Sequence, residues 1–384
     1  MELEERIARR QATRDDDLLV DRRPLNPAVH PGEPVGRETV LERLLDVFDP
    51  VFDQRLPPDA AVYGPKGAGK SALVNALFTH LNDQFGRRKQ RLGTTTRAGT
   101  ATDTVAFVHV DGYRTTSEFQ FYHRLLDALL EESVPQRGVG TERLRERFVQ
   151  QFASPTQNAV VAVDHLASEN SPSASALREW LAPVEEDVAL VVVGRSVPDD
   201  WDAATVHVPA YRQHALVDIL TERASRALTS NALRHGQARH VAEWASGDAH
   251  DALAAVSSAA ELADAADADR IRASDVDAGI DDVPDEAVHL GRVFALPENR
   301  RTVLSELLAL DQTPPIDDAA SAIADRSDLS AGTVKRFLYE LAEHGVLERV
   351  ETDATDGSGR RPSRPEPQFP TLPFRRFDGE ARGT

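Results

Sequence analysis

The apolar positions of this chain change rhythm twice, and each of the resulting stretches predicts a different architecture. Between about residue 34 and residue 211, short runs that are apolar at nearly every position alternate with stretches of helical spacing. The runs are residues 60–63, 104–110, 159–163, 189–193 and 206–208. A strand with one wet face alternates apolar and polar residues; these do not, so both faces are covered, as in a parallel sheet flanked by helices. From Tyr211 to about Asp282 the texture turns Ala-rich and helical, and the biased stretch 259–269 keeps the spacing of an amphipathic helix. Beyond Asp281-Asp282-Val283-Pro284 come three helical stretches, 298–310, 316–325 and 330–344, with Gly345 as a C-cap. A strand over 346–350, a turn over 356–359 and an extended, Pro-interrupted return over 367–377 complete the pattern. Three helices followed by a hairpin describe a winged helix-turn-helix. The expected organisation is a charged N-terminal arm over 1–20, mobile or briefly helical, an α/β domain over 21–210, a helical domain over 211–284 and a winged helix over 285–384.

Charge changes what this pattern can be used for. The 384 residues carry 63 Asp and Glu against 44 Lys and Arg, a formal net charge of -19, and lysine occurs only at Lys66, Lys70, Lys89 and Lys335. Such a surface suits a cytoplasm rich in salt, or belongs simply to an acidic soluble protein. In either case a nucleic-acid face has to be argued from local charge. The absence of cysteine excludes disulfides, thiolate metal sites and a thiol nucleophile. The apolar runs are too short to span a membrane, and the first ten residues are charged where a signal peptide needs an apolar stretch, so a cytoplasmic protein without a membrane partner is expected.

The most specific motif lies between the first strand and the helical run that follows it, where residues 64–71 read GPKGAGKS. This is the phosphate-loop spacing in the strand-loop-helix context it requires. Gly64, Gly67 and Gly69 permit close backbone approach, while Pro65, Lys66 and Ala68 complete the loop, so successive N–H groups and a helix N-terminus face the phosphates of a nucleoside triphosphate. Lys70 is expected to neutralise the β and γ phosphates and the Ser71 hydroxyl to ligate Mg²⁺. Asp164 ends the third apolar run, at the carboxyl edge of the sheet where such folds bind ligands, and is the natural second metal anchor. Lys70 and Asp164 are the catalytic candidates, with His165 beside them either polarising water or lying idle in a loop.

The order of features resembles the archaeal and eukaryotic origin-recognition and cell-division-control family of AAA+ replication initiators. Pro34-Val35-Gly36-Arg37-Glu38 looks like the stretch that borders the adenine, Val108-His109-Val110-Asp111-Gly112-Tyr113-Arg114-Thr115 like the second strand and its Arg-Thr element, and Val134-Pro135-Gln136-Arg137-Gly138 like the next loop. Val208-Pro209-Ala210-Tyr211, then Leu216 to Leu220 and Arg223-Ala224, are similar to the entry into the helical lid, and Ser246-Gly247-Asp248-Ala249 to the start of the second-sensor helix. The resemblance implies a P-loop AAA+ sheet, a helical lid and a C-terminal winged helix. It further implies ATP or ADP as the ligand, with Val35, Arg37, Tyr211, Arg223 and His250 joining the loop as nucleotide-binding positions. The departures are equally informative: Asp164-His165 stands where the family reads Asp-Glu, Gly194-Arg195-Ser196-Val197-Pro198 lacks the expected Asn, His250 replaces the sensor Arg, and the short stretch 196–206 has no clear arginine finger. The expectation is a divergent member that binds ATP and hydrolyses it slowly or not at all.

The same resemblance implies double-stranded DNA, of origin type, as partner, paralogous initiators or a replicative helicase as further partners, and association with the nucleoid. In the stretch 330–344, Val334, Phe337, Leu338 and Leu341 form a core stripe, leaving Ser330, Thr333, Lys335 and Arg336 outward, with Tyr339 beside them. Arg360, Arg361 and Arg364 add a cationic cluster in the hairpin. Arg137, Arg143, Arg145 and Arg147 are weaker candidates. Two other readings stay open: an ATP-gated transcription regulator or signalling switch, and a P-loop enzyme whose winged helix binds protein.

Overall fold

The structure is a computed structural model that describes residues 18–30, 32–93, 104–130, 132–153, 157–166, 171–310, 313–351 and 362–382. The chain divides into two compact units, one running His30–Tyr211 and the other combining Met1–Val29 with Arg212–Thr384.

The first unit is built on strands β1 (Ala60–Tyr63), β2 (Thr104–Asp111), β3 (Gln157–Leu166), β4 (Val188–Gly194) and β5 (Ala204–His207). They form one sheet in the order β2-β3-β4-β1-β5, parallel throughout. Its helices are α1 (Glu38–Phe48), α2 (Lys70–Gly93), α3 (Glu118–Leu129), α4 (Thr141–Gln151) and α5 (Ala174–Leu181). The period of two assigns each strand residue to a face. Phe107, Val160, Ala162 and Val191 pack with Leu44 of α1 and Leu73 of α2. Val108, Val110, Val161, Val163 and Val192 pack with Phe121 of α3, Phe148 of α4 and Leu177 of α5. The unbroken apolar runs have this cause: neither face is wet. Edge strand β2 is partly closed by Asn82 of α2, whose side chain exchanges hydrogen bonds with the backbone of Phe107.

The second unit opens with helices α6 (Gln213–Ala227), α7 (His235–Trp244), α8 (Ala249–Ala265) and α9 (Ala273–Asp281). Leu18 and Leu19 are buried in this unit, Leu19 bridges Leu228, and Arg22 pairs with Glu261 and Asp264 of α8. The described part of the N-terminal lead-in therefore packs on the helical lid, a placement that its charge and prolines did not reveal; residues 1–17 lie outside the described chain.

The winged helix follows as α10 (Leu290–Phe294), α11 (Glu298–Leu308), α12 (Ile316–Ala324), α13 (Ala331–Glu343), β6 (Leu347–Glu351), β7 (Ser363–Pro367) and α14 (Thr371–Arg382). β6 and β7 pair antiparallel, and Val303, Leu307, Ile323, Val334, Phe337, Leu341, Phe369 and Phe374 share one core. Here the structure corrects the sequence reading. Residues 367–377 are not an extended return: β7 ends at Pro367 and a helix begins at Thr371. Pro370 and Pro373 resemble strand breakers, yet a proline just before or within the first turn removes no intrahelical bond, because those N–H groups have no acceptor one turn back. The signal that was overlooked is the buried spacing of Phe374, Phe377 and Asp378, a helical i, i+3, i+4 stripe. Asp378, 1% exposed, accepts from Arg301 and Ser305 of α11. Replacing Arg301 with Ala removes the cation from a buried pair and is expected to destabilise the second unit by about 3 kcal/mol. Thermal unfolding would reveal it, and an unchanged midpoint would mean that α14 is not held through this pair.

Candidate nucleotide-binding site

The site assembles where β1 runs into α2. A Cβ on Gly64 would lie 2.0 Å from the Val208 carbonyl oxygen, and one on Gly69, whose φ is +78°, would lie 2.4 Å from the Tyr211 hydroxyl. Both positions therefore demand glycine, and the loop between them presents backbone rather than side chains. Lys70 Nζ donates to the carbonyls of Gly64 at 2.8 Å and Pro65 at 2.7 Å, so the cation is folded back over the loop. Arg37, 4% exposed, donates from Nη2 to the Ala68 carbonyl at 2.7 Å and stacks its guanidinium 3.4 Å from the centre of the Tyr211 ring. Its Nε is buried without a hydrogen-bond partner. Val35 is among the few exposed large apolar residues. The loop, Arg37, Tyr211 and Val35 thus share one unit.

Strand parity explains the rest of the site. Val160 and Ala162 of β3 face α2, and Asp164 continues that parity beyond the apolar run; it is 2% exposed and hydrogen-bonded by Ser71, the second residue of α2. Phe107 of β2 faces the same way, which puts His109 and Asp111 on that face as well, with Asp111 in register beside Asp164. His109 Nε2 lies 3.3 Å from Asp164 Oδ2, and the His165 backbone N–H donates to Asp164 Oδ1 at 2.7 Å. His165 sits at a register shift between β3 and β4 with φ +57°, a left-handed conformation that is strained for a non-glycine residue. Its ring stacks on Tyr113 with centroids 3.9 Å apart, and its Nδ1 lies 3.3 Å from Asp111 Oδ1 and 3.8 Å from Asp164 Oδ1.

Burial alone would raise the Asp164 carboxyl, but the His165 charge, the hydrogen bond and charge of His109 and the Ser71 hydroxyl outweigh it and hold Asp164 well below the usual carboxylate range. Burial likewise opposes the imidazolium of His165 and Lys70 repels it, yet Asp164 and Asp111 raise its value. Asp111 is lowered against its own burial, chiefly by His165. Each shift favours an imidazolium at His165 and ionised carboxylates at Asp111 and Asp164, at the carboxyl edge of the sheet. A glycine-lined loop, a lysine, and a hydroxyl bonded to a buried carboxylate form a donor set that fits a polyphosphate with a hard divalent cation. His109, Asp111 and Tyr113, quoted above only within the second-strand resemblance, carried no site role; polar residues at alternating positions along 109–113 are the one trace of them in the sequence.

Arg223 and His250 belong to the second unit, where internal contacts engage both. Arg223, on α6, donates to the carbonyls of Pro24 and Val29 and so holds the lead-in. His250 Nε2 accepts from the Leu290 N–H at 2.9 Å, and its Nδ1 lies 2.8 Å from Asp251 Oδ1. On the winged helix, Ser330 caps α13 by accepting from the Thr333 N–H, and the two hydroxyls lie 2.9 Å apart. Lys335 pairs with Asp317 of α12, Arg336 lies 3.5 Å from Glu340, and Arg364 donates to Glu366. Tyr339 lies beneath the Arg349 guanidinium. Arg360 and Arg361 lie outside the described residues.

Comparison with known proteins agrees with this geometry. Residues 33–193 match the family model of the AAA ATPase domain, and residues 217–281 match that of the Cdc6 AAA+ ATPase-type lid domain. The class is therefore an AAA+ ATPase-type domain followed by its helical lid. ORC1-type DNA replication protein 3 of Haloarcula marismortui is 23% identical over 85% of this chain and 87% of its own length. ORC1-type DNA replication protein 10 of Halobacterium salinarum is 24% identical over 88% and 86%. Among solved structures, the Aeropyrum pernix ORC1 protein in complex with DNA shares the fold with a TM-score of 0.60 at 20% identity, covering 96% of this chain and 99% of that one. Cdc6p from Pyrobaculum aerophilum superposes with a TM-score of 0.54 at 16% identity over 94% and 98%. Within its class, the lid match and the curated relatives support an archaeal origin-recognition and cell-division-control (Orc1/Cdc6) family member.

The ion cluster has a measurable consequence. Substituting His165→Glu, which installs the residue of the family pattern, would set three carboxylates together in place of anion, cation and anion. It is expected to lower the stability of the first unit by about 2 kcal/mol or more, visible as a thermal midpoint several degrees lower at neutral pH. A midpoint equal to wild type would show that His165 is not the counter-ion of Asp111 and Asp164.

Proposed function

We propose that this chain is an ATP-dependent DNA-binding protein of the replication-origin recognition and initiation type, in which bound ATP serves as a conformational latch and is hydrolysed slowly or not at all. The observation that carries the reading is the contrast within one site: the phosphate loop, Lys70, Ser71 and Asp164 are complete, while His165 is held between two carboxylates. Both carboxylates favour the protonated form of this imidazole, and in that form it cannot take a proton from an attacking water. ATP brings the triphosphate charge, and Mg²⁺ neutralises part of it and orders the phosphates. The chain's part is to surround the phosphates with backbone N–H groups, to set Lys70 against their charge, and to hold the metal through Ser71 and, by way of water, Asp164. Val35, Arg37 and Tyr211 would border the base.

DNA binding is supported by the winged helix, by the outward placement of Thr333, Lys335 and Arg336 on α13, and by likeness to a protein solved with DNA. Names of the relatives support the replication role; origin-type elements as the DNA partner, and paralogous initiators or a replicative helicase as further partners, belong to the same proposal. An acidic chain whose relatives come from Haloarcula and Halobacterium supports work in a salt-rich cytoplasm, close to the nucleoid.

Substituting Lys70→Ala is expected to weaken ATP affinity roughly ten- to a hundredfold, the worth of a charged hydrogen-bonding group; calorimetry in concentrated salt measures it, and unaltered affinity would remove the loop from the site. Replacing Arg360, Arg361 and Arg364 together with Ala is expected to weaken DNA binding irrespective of sequence and to flatten its dependence on salt. Equal binding by this variant and wild type would remove the wing from the interface. Occupancy in the native cell tests the role itself: enrichment at replication origins supports it, whereas enrichment confined to promoters would assign the chain to transcription control.

A further inference from the structure

The stretch between lid and winged helix, at the domain boundary expected near residue 284, is a joint in the structure. Two side chains of the lid, one buried and one half-buried, each reach the start of a helix in the winged-helix half. The first is His250, in the opening turn of α8 and 3% exposed. Its Nε2 accepts from the N–H of Leu290, the first residue of α10, and its ring stacks on His289 with centroids 4.1 Å apart. A ring nitrogen that accepts carries no proton, so the proton resides on Nδ1 and is donated to Asp251.

The second is Asp282, which follows α9 directly. Its Oδ1 accepts from the Thr371 N–H at 3.2 Å and the Thr371 hydroxyl at 2.6 Å, and its Oδ2 accepts from the Leu372 N–H at 3.1 Å and the Ser258 hydroxyl at 2.7 Å. The first N–H groups of a helix have no intrahelical acceptor. In α14 two of them are satisfied by a carboxylate from the lid, at the end of the helix where its dipole favours negative charge. Ser258 lies on α8, so one carboxylate gathers α8, α9 and α14. The seam continues through Glu261 of α8, whose Oε2 lies 4.0 Å from Arg376, and between the two joints the Val288 N–H donates to the Gln368 carbonyl. Val283 and Ala287 of the connecting stretch are buried.

We propose that the lid and the winged helix move as one rigid body, fastened by His250 and Asp282, and that the position where the family carries its second-sensor arginine has here been turned into a fastener of the winged helix. The position needs an acceptor. A guanidinium has five donors and no acceptor, so arginine could not receive the Leu290 N–H. Both covalent links to the unit His30–Tyr211, at residues 29–30 and 211–212, leave from this body. A change in the lid therefore has no slack to lose before it reaches α13. This last consequence rests on the function proposed above; the joint itself does not.

The chain contains no cysteine, so a label pair introduced as Asp269→Cys on the lid and Asp318→Cys on α12 reports on the joint without background. In the full chain, spin-label distances between them are expected to form a single narrow distribution, the same with ADP and with ATP and Mg²⁺. His250→Ala, Asp282→Ala and His250→Arg are each expected to broaden it, and amide exchange at Leu290 in the His250 variants, or at Thr371 and Leu372 in Asp282→Ala, to accelerate at least tenfold while β1 and β4 keep their protection. The milder His250→Gln, which retains an acceptor, is expected to stay narrower than His250→Arg and guards against a variant that merely unfolds. A distribution that is broad or nucleotide-dependent in wild type, or that stays narrow in His250→Arg and Asp282→Ala, would overturn the proposal. If wild type binds no DNA with either nucleotide, the functional reading fails, while a narrow distance that broadens in the variants still upholds the joint.

Discussion

The Asp164 carboxylate has to stay ionised in a place that water barely reaches, and much of the nucleotide-binding unit is arranged around that requirement. An isolated buried carboxylate would take up a proton. Here a serine at the start of α2, a histidine on β2 and a histidine near the end of β3 converge on it, and the second histidine is shared with Asp111. The parallel register makes this possible by setting Asp111 level with Asp164, and the strained backbone at His165 turns the ring toward both. The same arrangement commits His165 as a counter-ion. An imidazole held against one buried and one half-buried carboxylate is poorly suited to activate water, which is the basis of the slow turnover proposed above.

The sheet was legible because burial on both faces leaves an unmistakable trace in five apolar runs, and the phosphate loop because its glycines are forced by close neighbours at Val208 and Tyr211. The polar cluster was not. His109 and Asp111 look like ordinary residues near the end of a strand until the register with β3 is known, and that register is set by packing across the intervening residues 112–156. The same limit explains the winged helix. Its three helices announced themselves by their spacing, but Pro370 and Pro373 disguised the start of α14, whose capping group comes from Asp282, far away in sequence. Arg223 and His250 were located correctly on their helices and assigned by resemblance to nucleotide; their contacts with Pro24, Val29 and Leu290 depend on which segments pack beside them, which no local pattern encodes.

A division of labour follows. The unit His30–Tyr211 carries the complete phosphate-binding loop, and the other unit carries the helices and hairpin suited to DNA, along with the lid. An acidic chain adds a further condition: Lys335, Arg336 and Arg364 each have a carboxylate partner within their own unit, so contact with phosphate means exchanging one anion for another.

The most direct test of the latch is the chemical state of the nucleotide that the protein retains. Wild type loaded with ATP and Mg²⁺ in concentrated salt, freed of excess ligand, held for hours and then denatured for chromatography should release mostly intact ATP. Release of mostly ADP and phosphate within minutes, with none from a Lys70→Ala control, would contradict the account.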